Sequence, residues 1–155
     1  ALTLAETRGH KIEANIVKPT LANLILWRSI YETGGKFYVD AIRVGFFSEP
    51  KIYEGGVIEK FIPSVHTPEI PEKSVLADDI ARFNHFSSGY LGIQPEQPHL
   101  LIDVRYSNLP TSTDPLWAIK INEQKPDQHA QYQLFRDASH TVRQRFLSLL
   151  LGEHI

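Results

Sequence analysis

Residues Leu24–Phe47 read Leu-Ile-Leu-Trp-Arg-Ser-Ile-Tyr-Glu-Thr-Gly-Gly-Lys-Phe-Tyr-Val-Asp-Ala-Ile-Arg-Val-Gly-Phe-Phe. Leu24–Tyr31 and Phe37–Phe47 are both rich in β-branched and aromatic side chains. Gly34-Gly35 between them can take the positive φ angles that a tight turn requires, so the stretch predicts an antiparallel hairpin. On the N-terminal side, Ile12, Ala14 and Ile16 alternate with polar residues and predict a strand that Pro19 ends. Before it, Ala1–Arg8 is a run of helix formers stopped by Gly9. On the C-terminal side, Gly55-Gly56 predicts a turn and Val57–Ile62 a strand. Pro63, Pro68 and Pro71 then predict a loop. Ser74 is a fitting N-cap for a helix over Ser74–Tyr90. Asp78 and Asp79 lie near its positive end, and Leu76, Ile80, Phe83, Ser87 and Tyr90 share one face. Gly89 or Gly92 would stop it, and Pro95 and Pro98 mark a loop. His99–Ser107 and Leu116–Asn122 predict two paired strands, with Asp103 and Arg105 on the face opposite Leu100, Ile102, Val104 and Tyr106. Ala130–Leu151 predicts a final helix with the stripe Phe135, Ala138, Val142, Phe146, Leu149, ended by Gly152. The sum is one α+β domain over residues 1–155. Its antiparallel sheet has about five or six strands, and two main helices pack on one face of it.

Composition narrows the function classes. The 155 residues are 42% hydrophobic and 22% charged with a net charge of −2, which argues against disorder. No window holds enough consecutive apolar residues to span a membrane. Sixteen basic residues face eighteen acidic ones without a basic run, which disfavours nucleic acid as a partner. The absence of Cys excludes disulfides, thiolate metal sites and a Cys nucleophile. The chain has no Met and opens on Ala1, which reads as a processed chain or a piece of a longer one. Residues 1–9 would then be the tail of a preceding helix.

Few motifs carry chemistry. None of His10, His66, His85, His99, His129, His140 and His154 forms a metal-binding pair on one rigid element. Asp137 and His140 share a helical face at best, and His85 lies off the apolar stripe of its helix. There is no nucleophile elbow and no phosphate loop. Phe86-Ser87-Ser88-Gly89-Tyr90 falls at a helix C-terminus, the wrong end for an oxyanion hole. Charges within predicted strands stand out: Arg28, Asp40, Arg43, Asp103, Arg105 and Lys120. Such charges commonly form the wet face of a half-buried sheet. The alternative is an anion-binding surface of Arg forks set by Asp. Arg28 shares a face with Leu24 and Leu26, so it needs a partner, and Asp40 and Asp103 are the available strand carboxylates. Trp27, Tyr31, Phe37, Tyr38, Phe46, Phe47 and Trp117 read as core aromatics.

Several segments taken in order resemble one family. They are Asn23–Arg28, Phe37–Ala41, Arg82–Tyr90, Asp103–Ser107 with Pro110, and Asp114–Ile119. Together they resemble the C-terminal soluble part of the YdjM/YfhP-like metal-dependent hydrolases of the bacterial inner membrane, over about Gly9 to Asn122. The resemblance marks Trp27, Arg28, Asp40, Phe86, Tyr90, Asp103, Arg105, Tyr106, Pro115 and Trp117 as motif positions. It implies that the metal-binding motifs lie in a membrane-embedded N-terminal half, so no metal ligand and no cofactor falls in this chain. A divalent metal would belong to that half, which would also be the partner of this domain. The implied role is an accessory or head-group-binding domain, on a membrane side the sequence does not give. The candidate polar cluster is Arg28, Asp40, Asp103, Arg105 and Tyr106, facing an anionic ligand. Two alternatives stand beside it: a hydrolase with its own Arg/Asp-lined site, and an interaction module without a ligand.

Overall fold

The computed structural model describes residues 2–20, 23–45, 49–137 and 139–153. The expectations for Phe46, Phe47, Ala138 and His154 fall outside these. The elements are α1 (Leu2–Thr7), β1 (Ala14–Pro19), β2 (Leu26–Thr33), β3 (Lys36–Arg43), β4 (Lys51–Lys60), α2 (Pro63–His66), α3 (Val75–Phe86), β5 (Leu91–Gln94), β6 (Gln97–Asp103), β7 (Trp117–Lys120), β8 (Gln131–Leu134) and α4 (His140–Leu151). The chain is α+β, with an antiparallel sheet of eight strands paired in sequence order. None of its helices, among the described residues, is long and apolar enough to cross a membrane.

The β2–β3 hairpin forms as its sequence predicts. Thr33 faces Lys36, and Gly34 and Gly35 make the turn with φ of 56° and 71°. Positive φ at both turn positions matches the twist of the flanking strands. Directly opposed residues share a sheet face, so the register sorts the sheet into two faces. Ile30, Phe37, Val39 and Ile58 from β2–β4 lie on the same face as Leu100, Ile102 and Ala118 from β6–β7. These residues and Val104 form one buried cluster. The sheet therefore folds over on itself, with this face inside. On the outer face, Leu76, Ile80 and Phe83 of α3 pack against Leu91, Ile93, Leu101 and Ile119. Ser74 caps α3, its hydroxyl accepting from the Ala77 amide.

The helices do not share one side of the sheet, as the sequence predicts they would. Leu149 of α4 packs with Leu26, Ala41 and Tyr53, the end of the inner face, whereas α3 lies outside.

The sheet also exceeds the expected five or six strands, for local reasons. Gly92 is not a helix stop but a β5 residue. A Cβ there would lie 2.7 Å from Val104 Cγ2, so glycine lets two core side chains close over the strand. Gly55-Gly56 is not a turn, because β4 continues through both residues, with a shift in register where the pair passes Val39. A Cβ on Gly55 would collide with the carbonyl oxygens of Val39 and Thr111. The Gly56 amide donates to the same Thr111 oxygen at 2.9 Å. Glycine here admits a crossing segment, which has the same sequence signature as a turn. β8 and α4 replace the single helix expected over Ala130–Leu151. Gln131–Leu134 pairs with β7, and α4 starts at the Ser139 cap. Pro63–His66 forms a short helix where a loop was expected.

Gly55→Ala should lower stability by about 1–3 kcal/mol, because backbone on both sides cannot yield as a side chain can. Urea denaturation followed by circular dichroism measures this; an unchanged midpoint would contradict the crossing.

Candidate functional site

Arg28 points into the folded sheet and is 4% exposed. Its Nε and Nη2 donate to the Val104 carbonyl at 3.2 and 2.8 Å. Nη1 donates to Leu109, Pro110 and Ser112 carbonyls at 3.2, 2.9 and 2.9 Å. Every partner is main chain in the segment that follows β6. Burial pushes the Arg28 pKa down to about 9, against the attraction of Asp103, so the group stays cationic at neutral pH.

Asp103 closes β6 and is wholly buried. It accepts from Arg105 Nε at 2.9 Å and Nη2 at 2.8 Å, from the Arg105 amide at 3.1 Å and from Trp117 Nε1 at 3.1 Å. The Arg105 guanidinium, raised in pKa by that hydrogen bonding, also donates to Ser88 Oγ and to the Phe86 carbonyl at the end of α3. A cation suits the carbonyl end of a helix. Tyr106 stacks at an angle on Trp117, with ring centroids 4.7 Å apart. Lys18, half-buried at the end of β1, donates to Tyr106 Oη at 3.0 Å and lies 4.9 Å from that ring's centre.

Four of the five predicted site residues thus meet: Asp103, Arg105 and Tyr106 directly, and Arg28 through the Val104 carbonyl between them. Asp40 does not join them. Register puts it on the outer face opposite Ser29, while Arg28 is on the inner face opposite Ala41. Its partner is Arg8, at 2.9 and 3.0 Å to its two oxygens, with the Gly55 amide at 3.2 Å. Asp40 in turn raises the Arg8 pKa. Neither strand carboxylate hydrogen-bonds Arg28; it is held by carbonyl dipoles. Arg43 also serves a backbone group, donating to the Leu150 carbonyl at 2.8 Å, and Lys120 is exposed.

Beside the cluster lies a cleft of about 510 Å³. Lys18, Arg28, Arg105, Tyr106, Trp117 and Phe146 line it, and no carboxylate does among the described residues. A guanidinium carries five N–H groups. The Arg28 fork makes five contacts to carbonyls and that of Arg105 four to its own partners, so neither offers a free bidentate edge. The Lys18 ammonium has three N–H groups, one of them given to the Tyr106 hydroxyl, and no ion pair among the described residues. Lys18 is not among the residues singled out from the sequence; it continues the Ile12, Ala14, Ile16 alternation, and a cation extending an apolar stripe is the signal that could have found it.

The histidines contribute elsewhere. His129 Nδ1 pairs with Asp79 at 2.9 Å, His66 contacts Glu59, His10 contacts Tyr31, and His85 is exposed. Asp137 accepts from the Ser139 amide at 2.8 Å beside the start of α4. Among the described residues no three His, Asp or Glu side chains gather as metal ligands would.

Comparison with protein-family models, with curated proteins and with solved structures finds no match to this chain.

Arg28→Lys should destabilise the fold by about 3–5 kcal/mol, because an ammonium cannot reach four separate carbonyls and leaves a buried charge poorly paired. Lys18→Ala should change stability by less than about 1 kcal/mol. Chemical denaturation of both variants checks the contrast, and equal effects would contradict it.

Proposed function

We propose that this domain binds an anionic group in the cleft beside Lys18 and does so without chemistry of its own. The observation that carries this reading is the charge of the lining. Three cations and several aromatic and aliphatic walls line it with no acid on its surface among the described residues, and of the three only Arg105 has a carboxylate partner there, the buried Asp103 behind it, in a chain whose net charge is −2. Arg28 and Lys18, cations with no carboxylate hydrogen-bonded to them among the described residues, favour an anion there. Arg28 and Arg105 form rigid walls and contribute field, and Lys18 makes the direct contact. The cleft gathers Arg28, Arg105, Tyr106 and Trp117, all motif positions of the YdjM/YfhP-like resemblance. We therefore assign the domain an accessory, head-group-binding role beside a membrane-embedded N-terminal half in the bacterial inner membrane. Any divalent metal and the hydrolytic step would belong to that half. On this side, Arg8 bound to Asp40 holds the segment after α1 against the outer face.

Isothermal titration with inorganic phosphate tests the reading. Saturable binding in the millimolar range or tighter is expected, weakened at least tenfold in Lys18→Ala. Binding of equal strength in that variant would contradict it. So would turnover of 4-nitrophenyl phosphate by this chain alone, above the level of an Arg105→Ala control.

A further inference from the structure

The cleft does not stop at its charged end. A second cavity of about 410 Å³ lies along α4, lined by Asn108, Val142, Phe146 and Leu147 with Asp137 and Arg143. Asn108 and Phe146 belong to both linings, so the two spaces adjoin under one aromatic ring. Next to the cations, the walls are Pro19, Pro110, Leu116 and Trp117. Beyond Phe146 they are Val142 and Leu147, and Leu147 is 53% exposed. Of α4, only Leu149 is buried; Val142 and Phe146 on the two preceding turns are half-buried and Leu147 is exposed.

Resting on the anion-binding reading above, we infer that the ligand is a single-chain anionic amphiphile. Its head meets Lys18, and its hydrocarbon tail runs past Trp117 and Phe146 along the apolar side of α4. Charge complementarity sets the direction, since the acid-free lining lies at the Lys18 end and Asp137 lies at the other. Spaces of this size, several hundred cubic ångströms, hold a small amphiphile. Inorganic phosphate would occupy only the Lys18 end of the first.

The test is a chain-length series. Ethyl, butyl, hexyl and octyl phosphate, all below their micellar concentrations, are titrated calorimetrically into the chain and into Lys18→Ala and Leu147→Glu. A buried methylene is worth about 0.8 kcal/mol, or about fourfold in affinity. Affinity should therefore climb by about twofold to fourfold per methylene. Leu147→Glu should flatten the climb, and its exposed position keeps the fold out of the question. Lys18→Ala should weaken every member at least tenfold. Equal affinity for ethyl and octyl phosphate, still dependent on Lys18, would overturn the amphiphile while leaving the anion site intact. No saturable binding of any alkyl or inorganic phosphate would overturn both. Octyl glucoside binding as tightly as octyl phosphate would overturn the role of the charged head. Binding to phosphatidylglycerol vesicles with none to the monomeric phosphates would assign the surface to a bilayer instead.

Discussion

The Arg28 guanidinium is the constraint on which the arrangement depends. It stands on the inner face of β2 and takes up four carbonyl groups of the segment that leaves β6. Without it, those oxygens would be stranded near the fold's interior, and an unmet carbonyl costs about 1–3 kcal/mol. With it, the long connection from β6 to β7 is tied to the opposite half of the sheet. The same segment then crosses β4 at Thr111, where only glycine at position 55 leaves room. A buried cation carries a heavy desolvation cost, offset here by several main-chain dipoles aimed at one group. Hydrogen-bond satisfaction, rather than a matching carboxylate, makes that burial tolerable.

A division of labour follows among the cations. Arg105, fixed on Asp103, ties the end of α3 to the end of β6, and Trp117 joins through its indole N–H. Arg8 performs the corresponding task on the outer face through Asp40. Arg43 and Lys51 meet carbonyls at the C-terminal end of α4, where cations complement the helix dipole. Of the two arginines that line the cleft, neither keeps a free bidentate edge. Lys18 donates to one acceptor among the described residues, Tyr106 Oη, and it opens into the space those two arginines frame. In this account the arginines shape the cleft and the lysine reads what enters it.

Much of this was legible in the sequence, and the failures have physical causes. The central hairpin, the Ser74-capped helix and the β6–β7 pair each had local propensity, turn chemistry and periodicity in agreement. β5 and the true course of β4 were hidden because glycine signals both a turn and a close backbone crossing, and only tertiary packing distinguishes the two. β8 was hidden because Gln131–Leu134 is a four-residue edge strand, too short for its Gln-Tyr-Gln-Leu alternation to outweigh the helical spacing that follows it, and its Tyr132 and Leu134 are exposed rather than core. For the site, Arg28 was flagged by its apolar neighbours, Asp103 and Arg105 as charges in the strand expected over His99–Ser107, and Tyr106 by the resemblance; β6 in fact ends at Asp103, so Arg105 and Tyr106 lie just beyond it. The partner of Arg28 was not legible, since carbonyls are present at every position and leave no mark in a sequence. Asp40 went astray for a related reason. Alternation placed it on a face but could not say that α1 would bring Arg8 to that face.

The most direct measurement is a two-dimensional amide NMR titration of the isotopically labelled chain with inorganic phosphate. The account predicts saturable shifts concentrated at Lys18, at Tyr106–Leu109 and at the Trp117 indole N–H, with the Arg28 and Arg105 guanidinium signals remaining protected from exchange. Shifts centred on Asp79 and His129, or spread over exposed lysines without saturation, would contradict it.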